Sequence, residues 1–185
     1  MIEPRRIRPR RIRKLFEGPS FTLQIESTTL PNGRVIDAEV VRHPGSVVIV
    51  PITPNGEVIL VRQYRHTLGR YTWELPAGTL KPAEDVRDAA VRECHEEVGL
   101  VADHIEHVGS FFPAPGYSDE QMHFFVATRL RAPTSADPVA ERDEDEDIEP
   151  RPFKRADIAA MVGRGDIVDL KTLGGLTLTQ TKNVP

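Results

Sequence analysis

The segment GTLKPAEDVRDAAVRECHEEVGL, residues 78–100, constrains this chain more than any other stretch. Five residues separate Gly78 from Glu84 and seven separate Glu84 from Arg92, after which Arg-Glu-Cys-His-Glu-Glu-Val-Gly-Leu runs unbroken. The pattern predicts one helix, with Asp85 as its N-cap, Asp88 in a first turn that favours negative charge, and Gly99 closing it in the left-handed conformation. Val86, Ala90, Cys94 and Val98 recur every fourth residue and form the stripe that such a helix buries. Glu93, Glu96 and Glu97 then lie one turn apart, with Glu93 and Glu97 bordering the stripe on the rim of a core. Like charges at that spacing repel, so the helix gains nothing from them unless something positive stands between. A hard divalent cation such as Mg²⁺, which takes oxygen ligands, suits that place. Arg92 is set to orient a neighbouring carboxylate with its planar fork. A magnesium site on a helix, preceded by a glycine loop, points to phosphate chemistry.

This spacing resembles the Nudix box at every defining position. The resemblance implies an α+β protein, an α/β/α sandwich on a mixed β-sheet, that hydrolyses a nucleoside diphosphate linked to another moiety with Mg²⁺ or Mn²⁺. Carried over residue by residue, it implies Glu93 and Glu97 as principal metal ligands and Glu96 as a further metal-binding or water-binding carboxylate. The backbone carbonyl of Ala77 is implied as another ligand, with Glu84 and Arg92 supporting the loop and the helix.

The rest of the chain agrees with one domain. At 185 residues and 39% hydrophobic content it buries one full core but hardly two. A net charge of −4 gives no bulk attraction to nucleic acid. A single cysteine rules out an intramolecular disulfide framework, and Cys94 falls on the buried stripe as a packed small residue. No apolar segment approaches membrane-spanning length and the start lacks a secretory apolar core, so a cytoplasmic enzyme without membrane or nucleic-acid partners is expected. Two charge runs depart from the average: RRIRPRRIRK at 5–14 and ERDEDEDIE at 141–149. Pro9 argues against a helix in the first, which reads as a solvated or subunit-crossing arm. The expected organisation is a basic arm at 1–19 and the Nudix domain at 20–185.

Runs rich in β-branched residues predict strands at FTLQIEST, RVIDAEVVRH, SVVIVPI and EVILVRQYR, separated by turns at Pro31-Asn32-Gly33, Pro44-Gly45 and Pro54-Asn55-Gly56. After the box helix come strands at IEHVGSFF and QMHFFVATRL around the loop PAPGYSDE. Helices are expected at ADIAAMV and from about Gly165 to Gln180, the second capped by Asp166. His95-Glu96 begins a zinc-protease phrase, but Gly99 stands where its second histidine belongs.

Outside the box, RQYR at 62–65, WELPAG at 73–78, Asp169-Leu-Lys-Thr-Leu, and Pro115 fifteen residues past the box resemble the ADP-ribose pyrophosphatase branch. The resemblance implies ADP-ribose as substrate, AMP and ribose 5-phosphate as products, and a homodimer with exchanged N-terminal strands. A strand at FTLQIEST with no neighbour of its own also calls for such a partner. Arg62 and Arg65 are read as sharing one strand face, either as two cations for a pyrophosphate or as ordinary strand-edge charge. Trp73 either stacks on an adenine or anchors the core. Pro115 either makes a tight loop with Gly116 or, as the resemblance implies, forms a wall of the substrate pocket. The acidic run reads either as a solvated loop or, as the resemblance implies, as a loop that supplies a catalytic glutamate, Glu144 or Glu146. Glu144 is favoured as the base and Glu146 as an additional metal contact. Glu144, Glu96 and Arg92 thus make up the expected catalytic set. Two other readings are a GDP-mannose-type nucleotide-sugar pyrophosphatase and a non-enzymatic ADP-ribose sensor, though the box is intact and no DNA-binding domain is evident.

Overall fold

A run as continuously apolar as SVVIVPI needs cover on both faces. The computed structural model describes residues 8–139 and 147–181, and there Ser46–Pro51 is a strand with every residue buried. In chain order the strands are β1 (Arg11–Glu17), β2 (Thr22–Thr29), β3 (Val35–Arg42), β4 (Ser46–Pro51), β5 (Val58–Arg65), β6 (Arg70–Glu74) and β7 (Ala77–Thr79). Helix α1 (Val86–Glu93) follows, then β8 (Val101–Phe111), β9 (Met122–Arg131), β10 (Glu149–Phe153), α2 (Arg155–Arg164) and α3 (Leu170–Thr181). These elements form two compact units, one of residues up to Gly45 with Phe112–Gln121, the other of Ser46–Phe111 with Met122 onwards.

The larger unit is the sandwich. Its four-stranded sheet runs β7-β4-β9-β8, with β4 parallel to β9 and the other pairs antiparallel, and a three-stranded antiparallel sheet runs β10-β5-β6. Side chains alternate across a strand. On β4, Val48 and Val50 join Phe124, Val126, Ile158, Met161 and Leu176 in the core beneath α2 and α3. Val47 and Ile49 join Phe125, Ala89, Ala90, Cys94 and Val98 beneath α1. Each buried valine or isoleucine contributes about 1.5–3 kcal/mol relative to exposure, so this strand alone anchors both layers. Gly175 lets α3 approach closely, for a Cβ there would meet Leu75 Cδ1 at 2.5 Å and Val50 Cγ2 at 3.2 Å.

The smaller unit is an antiparallel sheet ordered β1-β2-β3. Segment 112–121 docks on β3 through Val41 N–H to the Tyr117 carbonyl at 2.8 Å and Asp119 N–H to the Val41 carbonyl at 3.2 Å. Arg42 reaches Glu26, itself 6% exposed, and Asp119 at 2.7 Å.

Expectations for the N-terminal segment and for the last helix need correction here. The strand at 22–29 does not lack a neighbour, because β3 pairs with its whole length and β1 with its other edge. Unsatisfied pairing therefore gives no argument for exchange between subunits. Residues 11–17 of the basic stretch are β1, exposed along its length, and Pro9 precedes the strand, where its missing N–H costs no ladder bond. The last helix begins at Leu170 rather than near Gly165. Gly165 terminates α2, the Asp166 carbonyl accepts the Trp73 N–H at 3.1 Å, and Asp169, not Asp166, caps α3 through the Thr172 N–H at 3.0 Å.

Candidate active site

The box helix begins as its sequence dictates. Asp85 accepts the Arg87 N–H at 2.8 Å, and Gly99 (φ 76°) donates to the His95 carbonyl at 3.0 Å. The turn from Cys94 to Val98 widens to π geometry, a form that recurs at functional sites. Glu93 and Glu97 end up 8% and 4% exposed beside a short strand. Glu97 Oε2 accepts the Ala77 N–H at 3.1 Å. Glu93 lies directly over Gly78, so close that a Cβ at position 78 would overlap its carboxylate. Residues 77 and 78 of β7 thus hold both carboxylates, one by a donor and one by the absence of a side chain.

The positive charge that the glutamate spacing demands is supplied within the chain by Arg92. Its Nε and Nη2 grip the two oxygens of Glu84 at 2.7 and 2.9 Å, and its Nη1 donates to Glu93 at 2.6 Å and Glu96 at 2.7 Å. The fork therefore ties the loop at 84 to the helix and bonds two box carboxylates. Hydrogen bonds from Arg92 hold the Glu84 carboxyl below its usual range, and Glu84 in turn heads the causes that hold the guanidinium protonated. Burial, with Glu97 adding to it, pushes the Cys94 thiol up to about 12, which makes it packing and not a nucleophile.

A divalent metal fits this donor set. Glu93, Glu96 and Glu97 offer hard oxygens, and the bare backbone at Gly78 leaves the room in which Glu93 sits. Among the described residues no three acidic, imidazole or thiol groups already converge on one ion-sized point, since Arg92 bridges Glu93 and Glu96. Glu144 and Glu146 lie outside the described residues.

The expectation that Arg62 and Arg65 share a face is overturned by the strand's period of two, since the positions differ by three. Arg62 stands opposite Trp73 and its guanidinium lies 3.9 Å above the Tyr71 ring. Arg65 lies on the other face, where Nε and Nη2 bond Glu74 at 2.9 and 2.7 Å. Trp73 packs at the core edge with its ring 4.8 Å from that of Phe153. Pro115 sits in the 112–121 segment of the smaller unit.

Sequence reasoning missed a buried charge network around Glu74, which is 2% exposed. Arg65, Lys171 and the Thr72 hydroxyl all donate to it. Burial alone would push its carboxyl up, but hydrogen bonds from Arg65 and the nearby Lys171 charge outweigh this and hold it down at about 2. Lys171 also reaches Asp169 at 2.8 Å, and the Thr172 hydroxyl donates to Asp169 at 2.7 Å while accepting the Leu75 N–H at 2.8 Å. Both phrases that carry this network, WELPAG and Asp169-Leu-Lys-Thr-Leu, were visible; their contact across 97 positions was not.

Comparison with known proteins agrees with the box. The NUDIX domain model matches residues 42–169. The ADP-ribose pyrophosphatase of Bacillus subtilis (strain 168) is 34% identical over 169 residues, covering 91% of this chain and 90% of that one. The ADP-ribose pyrophosphatase of Mycobacterium tuberculosis (strain H37Rv) is 39% identical over 163 residues, covering 88% and 77%. A crystal structure of an ADP compounds hydrolase superposes with a TM-score of 0.78 at 24% identity, covering 94% of this chain and 93% of that one, which supports the shared fold.

Proposed function

The chain belongs to the Nudix hydrolase family, and on that premise we propose that it hydrolyses the pyrophosphate bond of ADP-ribose to AMP and ribose 5-phosphate. The observation that carries this reading is similarity to ADP-ribose pyrophosphatases along nearly the whole chain, with every box carboxylate present. Glu93, Glu96 and Glu97 would hold Mg²⁺ or Mn²⁺ with the Ala77 carbonyl, and Glu146 would add a contact. When bound, such an ion neutralises pyrophosphate charge and makes water more acidic.

The chain's own groups do the remainder. Glu144 takes the proton of the attacking water as its oxygen bonds to phosphorus and the bridging P–O bond breaks. Arg92 keeps Glu93 and Glu96 oriented, and Arg65 donates to the pyrophosphate oxygens and holds them in ground state and transition state alike. Arg62 lies on the opposite strand face from Arg65, over the Tyr71 ring. One strand arginine rather than two therefore serves the pyrophosphate, with Trp73 as the surface for the base.

Measuring kcat/KM over a panel of nucleoside diphosphate derivatives with Mg²⁺ tests the substrate. ADP-ribose should lead GDP-mannose, dinucleotides and nucleoside triphosphates; a triphosphate lacks the second ribose, so polar groups built for that sugar go unpaired. A higher value for GDP-mannose or a triphosphate would overturn the subgroup and leave the family intact. The finer reading includes a cytoplasmic homodimer with an exchanged N-terminal strand. No helix among the described residues is long and apolar enough to cross a membrane. Sedimentation of a fully active monomer at micromolar concentration would refute the dimer.

A further inference from the structure

Resting on the reading that Arg65 meets the pyrophosphate, we propose that Lys171 is a positioning residue for Arg65, acting through Glu74. Glu74 closes β6, and its two oxygens accept four donors. Oε1 takes the Arg65 Nε–H at 2.9 Å and the Thr72 hydroxyl, while Oε2 takes the Arg65 Nη2–H at 2.7 Å and the Lys171 ammonium. The two-point grip fixes the plane of the guanidinium and leaves Nη1 outside it. The Arg65 side chain is 40% exposed, whereas those of Glu74 and Lys171 are 3% and 7% exposed, so a ligand meets the arginine first.

Lys171 matters because of the charge sum. Arg65 and Lys171 bring +2, Glu74 and Asp169 bring −2, and the cluster is neutral. Without Lys171 the sum is −1 and Glu74 has Arg65 as its remaining cation. An arginine held that way offers less to an anionic substrate, and the surplus charge opposes the pyrophosphate. The lysine is also placed rigidly. The Thr172 hydroxyl links Asp169 to the Leu75 N–H, tying the first turn of α3 to the residue that follows Glu74. A buried ion pair serving stability alone is often replaceable by apolar groups, which is the alternative to be separated.

The experiment is steady-state kinetics on whichever nucleoside diphosphate derivative the wild type turns over fastest, with melting temperature as the fold control. Lys171→Met should raise KM about tenfold and leave kcat within about threefold, the pattern of lost binding shared by ground and transition states. Lys171→Arg should return KM to within about threefold of wild type, because it restores the charge. In an Arg65→Ala background, Lys171→Met should change KM by no more than about twofold, since the two residues act as one unit. If Lys171→Met does not fold, Lys171→Gln takes its place with the same expectations. An unchanged KM, a fall in kcat alone, or a full KM rise persisting without Arg65 overturns the proposal. A wild type that prefers another diphosphate derivative counts against the substrate reading, and the Lys171 comparison then proceeds on that compound.

Discussion

Adding one methyl group at Gly78 should disable the site with little damage to the fold. The Glu93 carboxylate occupies the space of the missing Cβ, well inside the 3.0 Å that such atoms keep from their neighbours. In Gly78→Ala, either the carboxylate withdraws by roughly 1 Å or β7 shifts away from α1 by as much, and a misplacement of that size costs about 10²-fold in rate. The overpacking should cost about 1–3 kcal/mol of stability, too little to unfold a domain of this size. Arg92 limits the escape routes, because withdrawal of Glu93 also breaks its 2.6 Å bond to Nη1. The assay is kcat/KM at saturating Mg²⁺ together with thermal melting. Shortening the partner in Gly78→Ala/Glu93→Asp should recover melting temperature but not activity. Activity within about threefold of wild type for Gly78→Ala, with an unchanged melting temperature, would refute the close approach and its role.

Glu93→Gln and Glu97→Gln each remove a charged ligand while keeping shape, and each should lower turnover by several orders of magnitude in a folded chain; near-normal turnover in both at saturating magnesium would sink the metal assignment. Glu144→Gln should cost about 10²–10⁴ in kcat with metal binding retained, and the parallel change at Glu146 tests the register of the acidic run. If neither matters, the base lies elsewhere, with Glu96 next in line. Glu74 is held at about 2 against an ordinary 4.5, so its stabilisation is fully present above pH 4.5 and is lost as pH falls through about 2. That loss is at most about 3 kcal/mol, and the acid limb of a stability–pH curve should be correspondingly shallower in Glu74→Gln.

The box was legible because its information is local: caps, stripe, carboxylates and Arg92 all fall within one helix and the loop before it. β4 was legible for a related reason, since an unbroken apolar run allows only two-sided burial. What escaped is set by distance along the chain. The Glu74 network joins β6 to α3, and nothing in either phrase states that they touch. The pairing of β1 with β2 escaped because a stretch dense in arginine carries little apolar alternation, so its strand shows only in the backbone ladder. The shared face of Arg62 and Arg65 failed against elementary strand geometry, which a count of positions alone predicts correctly. The start of α3 was misplaced because Asp166 and Asp169 are equally good caps by type, and only tertiary bonding to β6 selects the second.

The central claim is hydrolysis of a pyrophosphate bond by a metal-dependent site built on Glu93, Glu96 and Glu97. Incubating the purified chain with ADP-ribose, with Mg²⁺ and then with the ion chelated, and identifying the products tests it most directly. The prediction is AMP and ribose 5-phosphate in equal amounts with Mg²⁺, and neither after chelation. Release of free ADP-ribose unchanged in both conditions, or of products that leave the pyrophosphate bond intact, would contradict it.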